Sequence, residues 1–153
     1  NKEAYNILYK STLLYYIHTY MEIYTSYFGN LKHLGAAGIM PIGIARWKPR
    51  FYEGVNMFSV APTRYMLSDD CEHEEYLELY NEILHKRGAV SIINEINSIA
   101  HGRNVALLCY EKPGDFCHRH LLADFLNKEL GLNIREYEAP APAPKPVQTS
   151  LFD

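Results

Sequence analysis

Residues 105–109 read Val105-Ala106-Leu107-Leu108-Cys109, and this unbroken apolar run decides the fold class. A strand that faces water on one side alternates apolar and polar residues, whereas a strand that is covered on both faces does not. A second run of this kind occupies residues 40–45. Two such strands predict a mostly parallel sheet that is sandwiched between helices.

Helical patterns and shorter strands surround these two runs. Apolar residues recur at three- and four-residue steps, which predicts helices over residues 72–86, 89–100 and 117–130. Alternating or β-branched residues predict two further strands over residues 23–28 and 133–137. Strands that alternate with helices predict an α/β domain, a three-layer sandwich with a mostly parallel sheet, over residues 21–138.

Composition excludes several classes of protein. The chain has 153 residues, of which 48% are hydrophobic, and this is enough for one hydrophobic core. A net charge of -3 argues against a polybasic nucleic-acid binder. Three cysteines without a closely paired spacing argue against a secreted disulfide framework, so we expect a cytoplasmic protein. The apolar stretch at residues 13–17 is too short to span a membrane.

The two ends of the chain have compositions different from the centre. Residues 1–20 form an N-terminal extension, which is either a tether or a genuine extra helix. Residues 139–147 are rich in proline, which forms neither helices nor sheet ladders, so we expect an extended Pro-rich linker. The linker leads to a C-terminal peptide at residues 148–153.

The segment from residue 107 to residue 119 carries the densest chemistry. Glu111 follows the buried strand, and ligands of parallel sheets lie beyond the carboxyl ends of the strands. The next helix begins at Cys117, so its free amides and dipole favour an anion and the thiolate form of Cys117. His118 and Arg119 add hydrogen-bond donors. The pattern therefore predicts a phosphate-sized anion site.

The residues Leu-Leu-Cys-Tyr-Glu-Lys-Pro-Gly-x-Phe-Cys-His-Arg at 107–119, with residues 23–30 and 44–47, resemble a known bacterial family. It is the YeaO-like family, domain of unknown function 488. The resemblance covers about residues 21–138. It implies an α/β fold and no established reaction. It also implies a shared site that is built from Thr25, Ser26, Glu111, Cys117, His118 and Arg119.

Four interpretations of this site stay open. In the first, an anion or nucleotide binds, with or without hydrolysis; Arg119 holds the anion, Glu111 acts as general base, and Cys117 or His118 assists. In the second, Glu111 simply pairs with Arg119 and Cys117 is a buried apolar residue. The third makes Cys117 a nucleophile that His118 activates.

Zinc is the fourth interpretation. Cys109, Cys117, His118 and His120 are suitable ligand types, but the spacing between the cysteines matches no common zinc motif. Adjacent residues on a helix also point about 100° apart, which makes Cys117 and His118 poor joint ligands. We therefore predict no metal and no cofactor.

The loop after residues 40–45 is a second candidate for ligand contact. It begins with Arg46 and Trp47 and interleaves cations with aromatic residues up to residue 52. Aromatic rings stack on bases and arginines hold phosphates, so we expect Arg46 and Trp47 to bind a ligand. The alternative is that these aromatic side chains fold back onto the core.

The last six residues read Gln148-Thr149-Ser150-Leu151-Phe152-Asp153 and resemble the bacterial sliding-clamp binding motif, with Thr149 where Leu is preferred. The resemblance implies that Gln148, Leu151 and Phe152 contact the clamp. At about 3.1 Å per residue, the Pro-rich linker reaches roughly 28 Å. A tether to a ring around DNA raises the local concentration without a basic surface. The alternatives are an accidental match and a tail that folds back.

These observations combine into one expected function. We expect a DNA-associated domain that binds a phosphate-bearing ligand, a nucleotide or nucleic acid, and that acts as a hydrolase if it is an enzyme. The tail recruits it to the replication or repair machinery. The rival expectations are a non-catalytic adaptor that binds another protein and a thiol enzyme that depends on Cys117.

Overall fold

The structure, a computed structural model, describes residues 1–112 and 114–141. Within them the chain forms five α-helices, which are α1 (Lys2–Tyr20), α2 (Leu31–Ala36), α3 (His73–Arg87), α4 (Ala89–Ala100) and α5 (His118–Leu130). It forms four strands, which are β1 (Ile23–Tyr27), β2 (Met40–Gly43), β3 (Val105–Cys109) and β4 (Arg135–Glu136). The predicted helices and strands are all present at or near their predicted positions.

The four strands form one parallel sheet in the order β2-β3-β1-β4. β3 lies inside the sheet between β2 and β1, and all five of its residues are buried. Side chains alternate between the two faces of a strand. Accordingly, Val105 and Leu107 join one hydrophobic cluster while Ala106 and Leu108 join another on the opposite face. The predicted α/β class and parallel sheet are confirmed.

The helices cover the two faces of the sheet unequally. Residues of α1, α3, α4 and α5 build the larger cluster together with one face of the sheet. The smaller cluster on the other face contains Leu34 of α2 and Tyr52 of the loop after β2. The result is a three-layer sandwich with α3, α4 and α5 on the same face.

The turn after α5 fixes the position of β4. The helix ends at Leu130 and is capped by Gly131, whose φ of 65° lies in the left-handed region that favours glycine. Asn127 then binds the following segment twice, because its side chain donates to the carbonyl of Ile134 at 2.9 Å and accepts from its amide at 2.8 Å. These contacts hold β4 in place beside β1.

The N-terminal extension is a helix with one packed side. Leu13 and Ile17 of α1 lie in the larger hydrophobic cluster, and Ile17 is only 2% exposed. Several large apolar residues of the same helix, Tyr15 among them, face outward. Residues 1–20 thus contribute an extra helix whose second half packs on the α/β domain.

The predicted clamp-binding residues Gln148, Leu151 and Phe152 lie outside the described residues. Across residues 1–112 and 114–141, we find no helix with the length and apolar character needed to cross a bilayer.

The packing of α1 leads to a stability prediction. Ile17→Ala removes a buried side chain and leaves a cavity, so we expect the free energy of unfolding to fall by about 3 kcal/mol. Tyr15→Ala is the matched control on the exposed side of α1 and is expected to change it by less than about 0.5 kcal/mol. Urea unfolding followed by circular dichroism measures both. Equal stability of the Ile17→Ala and wild-type proteins would show that α1 does not belong to the folded unit.

Candidate functional site

A cavity of about 370 Å³ opens at the carboxyl ends of β2 and β3. Three segments supply most of its wall: the start of the loop after β2, the end of β3 with the residues that follow, and the start of α5. The lining residues are Ala45, Arg46, Trp47, Pro62, Leu67, Tyr76, Cys109, Tyr110, Glu111, Phe116, Cys117 and His118. The cavity therefore lies at the edge of the sheet where ligands of parallel α/β folds bind.

Aromatic side chains surround this cavity. Trp47, Tyr110 and Phe116 are each about half exposed, at 56%, 51% and 48%. The Tyr110 hydroxyl donates to the Trp47 carbonyl at 2.8 Å and so ties together the loops after β2 and β3. Phe116 packs edge-to-face on His73 and Tyr76, with ring centroids 4.7 and 5.5 Å apart. Exposed rings around a cavity offer flat surfaces on which a planar ligand stacks.

Glu111 contributes a carboxylate to the wall of this aromatic cavity. Its Oε2 atom is buried and has no hydrogen-bond partner among the described residues. Burial and the nearby Glu111 carboxylate raise the pKa of the Tyr76 hydroxyl well above its ordinary value, so Tyr76 stays neutral. A buried polar atom without a partner is unfavourable in the absence of a ligand. Glu111 therefore presents an unpaired hydrogen-bond acceptor that a donor group of a ligand can satisfy.

His118 is held in one tautomer. Its Nε2 lies 2.8 Å from the carbonyl of Ile44, and because a carbonyl only accepts, Nε2 carries the proton. Burial, together with the smaller effects of the neighbouring Arg119 and His120, lowers the pKa of His118 to about 4, so the ring is neutral at neutral pH. The unprotonated Nδ1 lies 3.7 Å from Cys117 Sγ. The structure thus brings the predicted residues Cys117 and His118 together, with the unprotonated Nδ1 of His118 beside the sulfur of Cys117.

The helix argument against a shared Cys117–His118 site is wrong. Cys117 precedes α5 in extended conformation, with φ −151° and ψ 142°, so its side chain does not follow helical geometry. Its sulfur forms a disulfide bond with that of Cys109, while the two Cα atoms lie 7.4 Å apart. Sequence analysis did not pair these cysteines. His120 turns away from them and lies 3.3 Å from Glu136.

Arg119 does not occupy the role that the sequence predicted. Its side chain is fully buried, and it is absent from the cavity wall. Two of its nitrogens donate to the carboxylate of Glu136 at 3.1 and 3.2 Å, and Nη1 donates to the Glu111 carbonyl at 2.8 Å and to Cys109 Sγ at 3.1 Å. Arg119 thus supports the segment after β3 instead of holding an anion. It pairs with Glu136 and not with the Glu111 carboxylate.

Thr25 and Ser26 are also used inside the fold. The Thr25 hydroxyl donates to Glu136 at 2.5 Å, and the Ser26 hydroxyl accepts from Asn30 at 3.1 Å. Both residues are buried and neither lines the cavity. The structure therefore does not bring Thr25 and Ser26 to the cavity with Glu111, Cys117 and His118. Sequence analysis missed Glu136, because only the position of β4 beside β1 brings its carboxylate to Arg119.

The loop after β2 divides its aromatic residues between two places. Arg46 and Trp47 line the cavity, as the ligand-contact interpretation expects. Tyr52 folds back into the smaller hydrophobic cluster, as the alternative expects, and its hydroxyl donates to the Val55 carbonyl at 2.7 Å. The cavity therefore receives one cation and one ring from this loop.

The comparison with known families adds the identity of the domain. A family model that is described as the active DUF488-N3 subclade matches residues 31–130, which is more than half of the chain. The chain belongs to the DUF488 family. The match includes Glu111, Cys117, His118 and Arg119, whereas β1 and β4 lie outside it. Neither a curated protein nor a solved structure matches the chain.

Glu136→Gln tests the support beneath this DUF488 site. It leaves the fully buried Arg119 without its anion, so we expect the free energy of unfolding at pH 7 to fall by about 3 kcal/mol or more. Glu129→Gln, at an exposed position of α5, is the control and is expected to have no measurable effect. Urea unfolding at pH 7 compares the two variants with the wild type.

The same pair predicts an acid dependence of stability. Burial by itself would raise the pKa of Glu136, but hydrogen bonds from Arg119 and Thr25 outweigh it and hold this pKa below its ordinary value of 4.5. The pair therefore stabilises fully above pH 4.5 and loses its contribution as the pH falls through the lower native pKa. Glu136→Gln should flatten the decline of stability below pH 4.5. An unchanged decline would contradict the assignment.

Proposed function

We propose that this DUF488 protein binds a nucleotide-type ligand, a planar base that carries a phosphate, in the cavity at the ends of β2 and β3. One observation carries the proposal. The cavity combines exposed aromatic rings, an unpartnered carboxylate oxygen of Glu111 and the cation of Arg46 within about 370 Å³. This volume lies in the ordinary range of small-molecule sites.

Each part of a nucleotide has a matching group in the cavity. The base stacks on the rings of Trp47, Tyr110 or Phe116, because every base presents a flat π-face. Glu111 accepts a hydrogen bond from a base N–H group, which gives its buried oxygen a partner. Arg46 pairs with the phosphate. This assignment replaces Arg119 by Arg46 as the anion-binding residue.

Hydrolysis extends the proposal. Glu111 takes a proton from a water that attacks the phosphorus, the P–O bond to the nucleoside breaks, and the nucleoside oxygen leaves with that proton. Cys117 or His118, which line the same cavity, assists. The description of the matched subclade as active supports a catalytic role.

Two observations favour rival functions. The exposed aromatic side chains around the cavity favour an adaptor that binds another protein, and the short Cys117–His118 distance favours a thiol enzyme.

Nucleotide binding is tested by calorimetric titration of the intact protein. Nucleoside monophosphates, free bases and inorganic phosphate are the separate probes, and we expect a monophosphate to bind more tightly than either fragment. Arg46→Ala and Glu111→Gln should each weaken binding at least about tenfold, the cost of one charge-assisted hydrogen bond.

Arg50→Ala is the matched control for this titration. Arg50 is exposed on the same loop and does not line the cavity, so binding should stay unchanged. Absence of nucleotide binding, or equal affinity in the Arg46→Ala and wild-type proteins, would overturn the proposal.

Recruitment to DNA by the tail is the second part of the proposed function. The clamp-like peptide at residues 148–153 and the Pro-rich segment before it support this role. A net charge of -3 gives the chain little electrostatic attraction to DNA, so a protein contact has to supply the association. Leu151 and Phe152 fill an apolar pocket of the clamp in this proposal, and Gln148 binds at the edge of that pocket.

A capture experiment with purified bacterial sliding clamp tests recruitment. The Leu151→Ala, Phe152→Ala double variant should lose capture, because both apolar anchors are removed. Thr149→Ala, at the variable place of the motif, is the control and should retain it. Equal capture of the double variant and the wild type would remove the link to DNA. The outcome is independent of nucleotide binding in the cavity.

A further inference from the structure

Three ligand-type side chains converge on one wall of the cavity. The sulfurs of Cys109 and Cys117 and a ring nitrogen of His118 all lie within 4.8 Å of one another, and the three residues are buried. Cys109 ends β3, whereas Cys117 lies directly before α5 and His118 is the first residue of that helix. Because the sheet and the helix fix these positions, the cluster is a product of the fold and not of a single loop.

The imidazole of His118 is oriented so that its Nδ1 lone pair can bind a metal ion. Its Nε2–H donates to the Ile44 carbonyl at 2.8 Å, which leaves the lone pair of Nδ1 directed to the side of Cys117 Sγ, 3.7 Å away. Histidines that bind metals almost always donate their second ring N–H to a backbone carbonyl or a carboxylate. The carbonyl of Ile44 supplies this outer support.

The backbone spacing of the cysteines suits two ligands of one ion. Their Cα atoms are 7.4 Å apart, beyond the range of about 4.4–6.8 Å that is usual for disulfides. Two sulfurs on one tetrahedral zinc ion are separated by roughly 3.8 Å, as follows from a Zn–S bond of about 2.3 Å. A thiol reductant converts the Cys109–Cys117 disulfide to two thiols, and rotation of the two freed side chains then opens room for an ion between them.

The surroundings balance the charge of such a centre. Two thiolates neutralise a divalent cation, so the buried unit has no net charge. Arg119 Nη1 donates to Cys109 Sγ at 3.1 Å, and the charge of Arg119 is in turn balanced by Glu136. A thiolate that accepts a hydrogen bond from an arginine remains able to bind a metal through its other lone pairs.

We propose that Cys109 Sγ, Cys117 Sγ and His118 Nδ1 bind one thiophilic divalent cation, with Zn²⁺ as the best match. Two thiolates and one imidazole form a donor set that binds zinc in preference to magnesium or calcium. Three protein ligands leave a fourth position, which opens on the cavity, as in catalytic zinc sites. Glu111 lines the same cavity and is available to accept a hydrogen bond from a water at that position.

Metal binding is measured on the full-length reduced protein without any nucleotide, so this proposal and the nucleotide proposal fail separately. After removal of bound metal with a chelator, Co²⁺ is titrated as a spectroscopic probe. We expect sulfur-to-cobalt charge-transfer absorption that saturates at one ion per chain and disappears when Zn²⁺ displaces Co²⁺. Absence of this absorption in the reduced wild type would overturn the proposal.

Variants assign the ligands. Cys117→Ser and His118→Ala should weaken Zn²⁺ binding by at least about 100-fold, because the loss of an outer-shell partner alone costs about 10- to 100-fold. Cys71→Ser removes the partly exposed third cysteine and is the matched control, with unchanged stoichiometry. Unchanged Zn²⁺ affinity in Cys117→Ser, or a loss in Cys71→Ser alone, would refute the assignment.

A second measurement avoids substitutions that disturb folding. In the wild-type protein, saturating Zn²⁺ should protect two of the three thiols from alkylation and leave Cys71 reactive. Peptide mass analysis after alkylation identifies the protected cysteines. Alkylation of Cys109 and Cys117 at the same rate with and without Zn²⁺ would overturn the proposal.

Discussion

The buried guanidinium of Arg119 is the interaction on which the site depends. It joins the start of α5 to β4 through Glu136, and it joins α5 to the end of β3 through Cys109 and the carbonyl of Glu111. A fully buried charge requires a partner and complete hydrogen bonding, since neither is supplied by water. Those requirements hold three chain segments in one arrangement. The walls of the cavity are therefore set by a residue that the cavity does not expose.

This constraint also explains the division of labour among the motif residues. Thr25 and Arg119 surround one carboxylate, Glu136, on the far side of β3 from the loop after β2. Glu111, Cys117 and His118 instead line the cavity. A single sequence motif thus contains residues that support the cavity wall and residues that line the cavity. Position relative to the cavity, and neither burial nor residue type, separates the two groups, because Cys117 and His118 are buried as Arg119 is.

The fold was largely predictable from the sequence, whereas the polar contacts were not. Apolar runs, alternation and helical spacing located the four strands and α3, α4 and α5, because burial on one or both faces leaves a local pattern. The Arg119–Glu136 pair depends on the order of strands in the sheet, and no local pattern contains that order. The contact between Cys117 and His118 was missed because the predicted helix began one residue too early. Cys117 lies just before α5, and the extended backbone there changes the direction of its side chain.

The strand order described above also determines how the sheet ends. The outer strand β4 has only two residues, and the other outer strand, β2, contains Pro41, which has no N–H to offer. On the outer edge of β2, the Gly43 amide donates to the Val55 carbonyl at 2.9 Å, and the Met57 amide donates to the Gly43 carbonyl at 2.8 Å. Short, proline-containing or covered margins do not template the addition of strands from other molecules. The same arrangement that creates the cavity therefore also discourages self-association of the sheet into larger aggregates.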